Sequence, residues 1–276
     1  MDMKDETGES AVRKVAVVGL GLIGGSFEKA SRRAGYEVAT LHHGDGGAGL
    51  ADADLVLVCL PPAAVVRWMR DHAGEIRRGA FVVDIAGVKR RIMDEFAAAF
   101  PNGTGGWSFI GGHPMAGREV SGYANSLATL FDGASMILVP PDAAASAPPA
   151  LEHYFLSLGF ARVVVTSAAR HDEMIAFTSQ LCHLISSAYV REDLARGHVG
   201  FSAGSFRDMV RVGAPDPEIW TELFLSNRAA LVPVLERYVG RLDDFLAALK
   251  DNDCGRLRRA LEEGVAAKSQ FGKGLR

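Results

Sequence analysis

Cysteine is scarce in this chain: there are three among 276 residues (Cys59, Cys182 and Cys254), and none stands in a C-x-x-C pair. Thiols so few and so scattered suggest neither a disulfide framework nor a zinc site, and no metal is expected. A basic balance is also missing. The formal net charge is −3, which argues against nucleic acid as a partner, because a phosphate backbone favours a basic surface. No apolar run reaches the ~18 residues that would read as a membrane span. Residues 1–10 are polar and acidic, without the apolar stretch of a secretion signal. The expected setting is therefore cytoplasmic, away from membranes. What remains is ordinary for a globular protein, at 48% hydrophobic and 23% charged residues, with material for one large domain or two average ones.

The first half alternates short apolar runs with helical stretches. Residues 15–18, 55–60, 81–83 and 136–139 read as buried parallel strands, a second strand closes at Leu41, and 107–110 is a further apolar strand. Residues 65–76 carry helical spacing, and a helix starting near Pro149 leads to a last strand at 161–166. Such alternation builds βαβ units, so the predicted fold is α/β, a doubly wound Rossmann-type sheet. Between Leu41 and Asp54 the chain is short and rich in glycine (Gly44, Gly46, Gly47, Gly49), which leaves no room for a full crossover helix. Beyond Ser167 no strand pattern remains. Helices are expected at 171–197, 201–212, 216–239, 241–251 and 253–270, with Asp216-Pro217 a helix start and Asp253 a second cap. The predicted domains are thus 11–166 and 171–276. The apolar faces of the long helical segment call for a partner surface, which predicts a homodimer.

Gly19, Gly21 and Gly24 follow the first strand and open a helix, and in that setting the spacing has a physical meaning. The glycines allow a tight turn and close approach, and the helix N-terminus attracts a pyrophosphate. The expected dinucleotide contacts are Gly19, Leu20, Gly21, Leu22, Ile23 and Gly24, with Leu60 and Pro61 after the third strand and His42 and His43 after the second. An acid usually closes that second strand in an NAD site. Here the place reads Thr40-Leu41-His42-His43-Gly44-Asp45. Asp45 could reach back, or the histidines could face a 2′-phosphate or only water, so these residues leave NAD and NADP both open.

A second run, Gly111-Gly112-His113-Pro114-Met115-Ala116-Gly117-Arg118-Glu119, places one histidine on a stiff, glycine-flanked loop after an apolar strand. A neutral imidazole with a pKa near 6.5 is a suitable base at pH 7. A base held near a nicotinamide is what removing a proton and a hydride from one alcohol requires, so the pairing points to a dehydrogenase.

The two motifs together resemble the prephenate/arogenate dehydrogenase family. The resemblance continues through Asp84-Ile85-Ala86-Gly87-Val88-Lys89, with Gly87 where serine is usual, and Thr178-Ser179-Gln180-Leu181-Cys182-His183, where Gln180 and Cys182 depart from the pattern. It then follows 205–211, Asp216-Pro217-x-x-Trp220 and Asn227, in order, over about residues 13–240. It implies a nicotinamide cofactor, NAD by preference, a small-molecule substrate and a homodimer. The implied reaction is oxidative decarboxylation of a cyclohexadiene, with hydride leaving the hydroxyl-bearing carbon, carbon dioxide lost and the ring aromatised. His113 takes the hydroxyl proton in that scheme.

For the substrate, the resemblance implies that Arg211 holds the side-chain carboxylate. On a helix Gly204, Asp208 and Arg211 share one face, so Asp208 can orient a buried Arg211 while Gly204 leaves room. His183 is either a second polar contact or a buried, hydrogen-bonded histidine, and Trp220 either walls the pocket or packs in the core. Gly87 cannot supply a serine's hydroxyl, which opens the alternative of a substrate with an amino group in place of the hydroxyl, such as 4-amino-4-deoxyprephenate. Arg118 either meets a carboxylate by bidentate geometry or pairs with Glu119 at the entrance. The Rossmann strand begins near residue 13 and only helical pattern follows Tyr238, so neither a fused chorismate mutase nor an ACT domain is expected. A reading of another class is a nucleotide-binding sensor without turnover.

Overall fold

The computed structural model describes residues 12–42, 47–142 and 144–271. Seven strands form one sheet: β1 (Lys14–Val18), β2 (Glu37–Leu41), β3 (Leu55–Val58), β4 (Phe81–Asp84), β5 (Ser108–Pro114), β6 (Ser135–Val139) and β7 (Arg162–Val165). Their order is β2-β1-β3-β4-β5-β6-β7. The first five strands in that order run parallel. All four residues of β3 are buried, as an unbroken apolar run with helices on both faces requires. The helices α1 (Leu22–Arg33) and α4 (Pro149–Ser157) pack Phe27, Tyr154 and Phe155 into one face. On the other face α2 (Pro62–His72) and α3 (Arg90–Ala99) contribute Val65, Met69 and Ile92. The α/β Rossmann-type reading is confirmed. Between β2 and β3 the described residues form turns and no helix, with Leu50 fully buried in place of a helix face.

The structure corrects the sequence reading of the sheet's far side in two respects. Residues 136–139 were expected to run parallel, but β6 pairs antiparallel with β5 and only β7 returns parallel to β6. The reason lies in residues 115–134, which contain one short 3₁₀ turn (Tyr123–Asn125) and no crossover helix. Without a crossover helix the chain re-enters the sheet in the opposite sense. The second correction follows from the first. Pairing with β6 extends β5 to Pro114, so His113 sits within a strand opposite Ile137, not on a loop.

After β7 the chain is helical. Ser167 caps α5 (Ala168–Ile175) by accepting the Arg170 amide at 3.3 Å. A π turn (Ala176–Gln180) leads into α6 (Leu181–Tyr189), and a 3₁₀ turn (Asp193–Gly197) precedes α7 (Gly204–Val210). The helix expected at 171–197 is therefore three pieces. Asp216 caps α8 (Pro217–Ser226) through the amides of Glu218 and Ile219. The helix expected at 216–239 breaks at Asn227, whose side chain is drawn inward, and α9 (Arg228–Lys250) then runs unbroken past Gly240. The break expected near residue 240 is absent.

The chain packs as two units divided between Arg228 and Ala229. The second unit holds most of α9 together with α10 (Cys254–Phe271), joined by a turn in which Asn252 takes φ 53° and Asp253 caps the Arg256 amide at 2.9 Å. Leu242, Leu246, Leu249, Leu261 and Val265 of this unit are exposed. Among the described residues no helix is long and apolar enough to cross a membrane.

The glycine turn between β1 and α1 is held by backbone overlap. A Cβ on Gly24 would collide with the carbonyl oxygen of Gly19, and Gly19 itself has φ +86° with Cys59 O 2.6 Å from where its Cβ would stand. Gly24→Ala is therefore expected to cost about 1–3 kcal/mol, the range for inserting a methyl into packed structure. Each kcal/mol lowers Tm by roughly 2–4 °C in a chain of this size. Differential scanning calorimetry of the variant measures it, and an unchanged Tm would contradict the overlap.

Candidate active site

Two clusters of polar side chains stand out, the first at the C-terminal ends of β4 and β5. The first is centred on His113. Its Nδ1 lies 2.9 Å from Nε2 of His171, and Nδ1 of His171 lies 2.7 Å from Oδ1 of Asp172. Both partners belong to α5 and are almost fully buried. The Asp172 carboxylate also accepts the amides of Lys89 (2.8 Å) and Arg90 (2.9 Å). These are the first donors of α3, whose own N-cap residue supplies no capping side chain, and an anion there meets both the unpaired amides and the helix dipole.

Below this chain lies a fully buried ion pair, Lys89 Nζ with Asp84 Oδ2, and the same oxygen accepts the Ala86 amide at 3.0 Å. Burial raises the Asp84 pKa and lowers that of Lys89, while their mutual attraction opposes both shifts. The glycines before the histidine are explained by this pair. A Cβ at Gly111 would stand 2.9 Å from Lys89 Cδ, and one at Gly112 would stand 2.6 Å from the Asp84 carbonyl oxygen. They make room for the loop from Asp84 to Lys89 beneath β5.

Burial, then His171, then the Lys89 charge hold the His113 pKa well below 6.5. His113 is thus neutral at pH 7, as a base must be. Gly87 lies beside the ring: a Cβ there would be 3.8 Å from His113 Nε2 and 3.4 Å from Leu223 Cδ2. These are ordinary contacts, so the space would admit a serine and is left open in this chain.

The second cluster lies on α6, α7, α8 and the loop after β5. His183 stacks on Trp220 with ring centroids 3.7 Å apart, and its Nδ1 bonds the Ser179 carbonyl at 3.0 Å. Burial lowers the His183 pKa; the Ser179 carbonyl and Glu119 oppose that shift, and Arg211 adds to it. Arg211 Nη1 bonds Glu119 Oε1 at 3.0 Å. This corrects the expectation that Asp208 orients a buried Arg211: the arginine side chain is 66% exposed and its partner comes from the loop after β5. Arg211 is the C-cap of α7 and keeps a helical backbone, yet its side chain turns to Glu119. Arg118 does not pair with Glu119 either, and its Nη1 donates to the Asn125 carbonyl at 3.1 Å.

Residues to which the sequence assigns no site role join these clusters. Gln180, a departure from the family pattern, donates to the Leu223 carbonyl at 3.2 Å and accepts from Asn227 Nδ2 at 2.8 Å. Asn227 Nδ2 also donates to the Asp172 carbonyl at 2.9 Å. His171 and Asp172 had been taken only as the start of a helix. Their signal was adjacency: two titratable residues side by side in a helix, on the side of the buried Ile175 and Ala176 and away from the exposed Met174.

The dinucleotide cradle has the form its glycines require. Gly21 is the N-cap of α1, no side chain caps the amides behind it, and open space surrounds the position of its missing Cβ. A pyrophosphate fits that opening on the uncapped helix. Leu60 Cδ2 reaches to 2.9 Å from where a Gly19 Cβ would be. Pro61 precedes α2, whose Ala63 amide is taken by Glu222 of α8 at 2.8 Å. His42 is exposed after β2, and His43 lies outside the described residues.

Comparison with known proteins bears on this site. The family model described as prephenate dehydrogenase, nucleotide-binding domain, matches residues 12–163, and that described as prephenate dehydrogenase, dimerization domain, matches 167–263. The chain is 29% identical to the cyclohexadienyl dehydrogenase of Zymomonas mobilis, over 93% of this chain and 95% of that one. It is 30% identical to the probable prephenate dehydrogenase NovF of Streptomyces niveus, over 92% and 76%. The crystal structure of Synechocystis arogenate dehydrogenase superposes with a TM-score of 0.77 at 25% identity, covering 94% of this chain and 99% of that one.

The depressed histidines give the fold a pH dependence. An unfolded histidine takes up its proton near pH 6.5, while burial lowers the pKa of His113, His171 and His183 in the folded chain. Below about pH 6.5 the unfolded state therefore binds more protons, so stability is full above pH 7 and falls between pH 7 and 5. Urea unfolding across that window should show the fall, and His113→Asn should make it shallower. Parallel curves for the two proteins would contradict the assignment.

Proposed function

The chain belongs to the prephenate dehydrogenase family, and from that premise we propose that it carries out the oxidative decarboxylation of prephenate or arogenate, giving 4-hydroxyphenylpyruvate or tyrosine in tyrosine biosynthesis. The observation that carries the reading is His113: a neutral imidazole whose Nδ1 is engaged from behind and whose Nε2 lies 3.8 Å from where a Gly87 Cβ would stand. His113 takes the hydroxyl proton of the substrate at Nε2 as hydride leaves the same carbon. The dinucleotide supplies the hydride acceptor, held by Gly19, Leu20, Gly21, Leu22, Ile23 and Gly24 with Leu60 and Pro61. Loss of carbon dioxide then leaves an aromatic ring.

We take NAD as the cofactor. Between Leu41 and Leu55 the sequence has no lysine or arginine, and three aspartates occur there, a poor setting for the extra charge of a 2′-phosphate. Residues 11–166 are proposed as the nucleotide-binding domain and 171–276 as the substrate and dimerisation domain. The exposed leucines of α9 and α10 support a homodimer, which would cover apolar surface that one chain leaves to water. The expected setting is the cytoplasm.

In the substrate domain, Arg211 exchanges Glu119 for the substrate's side-chain carboxylate, with Gly204 and Asp208 nearby in the chain. His183, backed by Trp220, offers Nε2 as a further polar contact. Arg118 and Glu119 form the entrance. A second reading rests on Gly87. Without a serine hydroxyl beside Nε2, the site also admits a substrate bearing an amino group at the reacting carbon, such as 4-amino-4-deoxyprephenate.

Absorbance at 340 nm with NAD, then NADP, against prephenate, arogenate and the amino analogue tests these readings together. Preference for the amino analogue would move the assignment to the second reading, a tenfold preference for NADP would overturn the cofactor, and no turnover with any substrate would favour a nucleotide-binding sensor. On the preferred substrate His113→Asn is expected to lower kcat at least 10²-fold with little change in KM, because only the transition state needs the proton acceptor.

Arg211→Ala is expected to act differently. The carboxylate it holds keeps its charge throughout the reaction, so its loss should raise KM about tenfold or more and leave kcat nearly unchanged. Steady-state kinetics separate the two. A fall in kcat alone would place Arg211 in the chemistry.

A further inference from the structure

A histidine acting as a base at one ring nitrogen must carry its proton on the other, and the groups behind His113 decide which is which. Asp172 receives three donors: the amides of Lys89 and Arg90 and Nδ1 of His171. As a carboxylate it can only accept, so His171 carries its proton at Nδ1. A neutral His171 then has its lone pair at Nε2, which faces Nδ1 of His113 at 2.9 Å. Two lone pairs cannot meet there, so His113 must donate from Nδ1, and its own lone pair lies at Nε2 on the Gly87 side.

We propose that Asp172 and His171 are positioning residues, a relay anchored on the N-terminus of α3 that fixes His113 in the Nδ1–H tautomer and so makes Nε2 the base. The proposal rests on the reading of His113 as the proton acceptor. It is supported by the anchoring of every member. The Asp172 carboxylate is held by the two α3 amides and its backbone carbonyl by Asn227, whose amide is shared with Gln180. His171 has no exposed edge from which water could reverse its tautomer. The interposed imidazole also has a purpose that a carboxylate placed directly on Nδ1 would defeat. It orients the ring while keeping the Asp172 charge one residue further away, so His113 is aimed without becoming strongly basic. Of the other charges acting on the two rings, Lys89 lowers the pKa of both, and Asp84 opposes it at His171.

The tautomer is read directly by ¹⁵N imidazole NMR of the full-length protein near pH 7, with the His113 signals identified by their loss in His113→Asn. The expected result is a neutral Nδ1–H tautomer in the unmodified protein, converted wholly or partly to Nε2–H in Asp172→Asn, whose side-chain amide can donate to His171 and reverse the relay. An Nε2–H tautomer in the unmodified protein would overturn the proposal. Kinetics supply the second measurement. His171→Gln keeps an acceptor toward His113 and a donor toward Asp172, so its kcat should stay within about tenfold. His171→Phe keeps neither, and its kcat should fall at least 10²-fold with KM changed less than threefold. Equal kcat for the two variants would overturn the relay. If no substrate is turned over, the proposed function fails while the NMR still decides the tautomer. If His171→Phe does not fold, the unmodified protein and Asp172→Asn decide it alone.

Discussion

The arrangement of the first cluster depends on one carboxylate at the start of one helix. Asp172 closes the amide end of α3 and thereby joins the loop after β4 to α5, the first helix after the sheet. Helix N-termini leave several amides without partners, and an anion there gains from hydrogen bonding and from the helix dipole together. The interaction is local, yet it fixes three things: where α5 starts its course, where the His171 ring points, and hence what stands behind His113. Were Asp172 to point elsewhere, the Lys89 amide would be buried with no acceptor, a cost of about 1–3 kcal/mol.

The buried Lys89–Asp84 pair complements that carboxylate. Two opposite charges fully out of water are expensive to bury and contribute little net stability even when well paired. Their value here is geometric. They hold the loop from Asp84 to Lys89 tight beneath β5, and the tightness explains why glycines occupy 111 and 112. The site is thus assembled from backbone that approaches closely because side chains were removed, together with a few polar groups that are almost all hydrogen-bonded.

The fold was legible because its signals are periodic and local. Apolar runs at 15–18 and 55–58 lie in strands, and the glycine spacing at 19–24 could only serve the turn that it forms. The direction of β6 was not legible, since 136–139 looks the same in either sense and only the missing crossover helix decides. Helix ends after residue 171 depended on side chains drawn inward, such as Asn227, which no local pattern announces. Within the candidate site, the motif carrying His113 was visible because unusual glycines surround it. Arg211 was singled out by the family resemblance and given Asp208 as a partner by helical spacing; the partner it takes is Glu119, from a loop 92 residues away in sequence, which no local spacing can announce. His171 and Asp172 were silent for a related reason: a buried polar pair acquires meaning only from what the sheet places opposite it.

The antiparallel pairing of β6 with β5 sets His113 opposite Ile137, so the aim of the imidazole is a property of strand register. Side chains alternate faces along a strand, and a one-residue slip of β5 against its neighbours would turn the ring to the opposite side of the sheet. Residues 115–134 begin and end at fixed rungs of that ladder, and between them carry Glu119, the partner of Arg211, and the fully buried Phe131. None of the five residues of β6 touches a substrate in the proposed mechanism. A short, mostly apolar strand (Ser135-Met136-Ile137-Leu138-Val139), anonymous in any search for functional residues, acts as the ruler against which the catalytic group is measured.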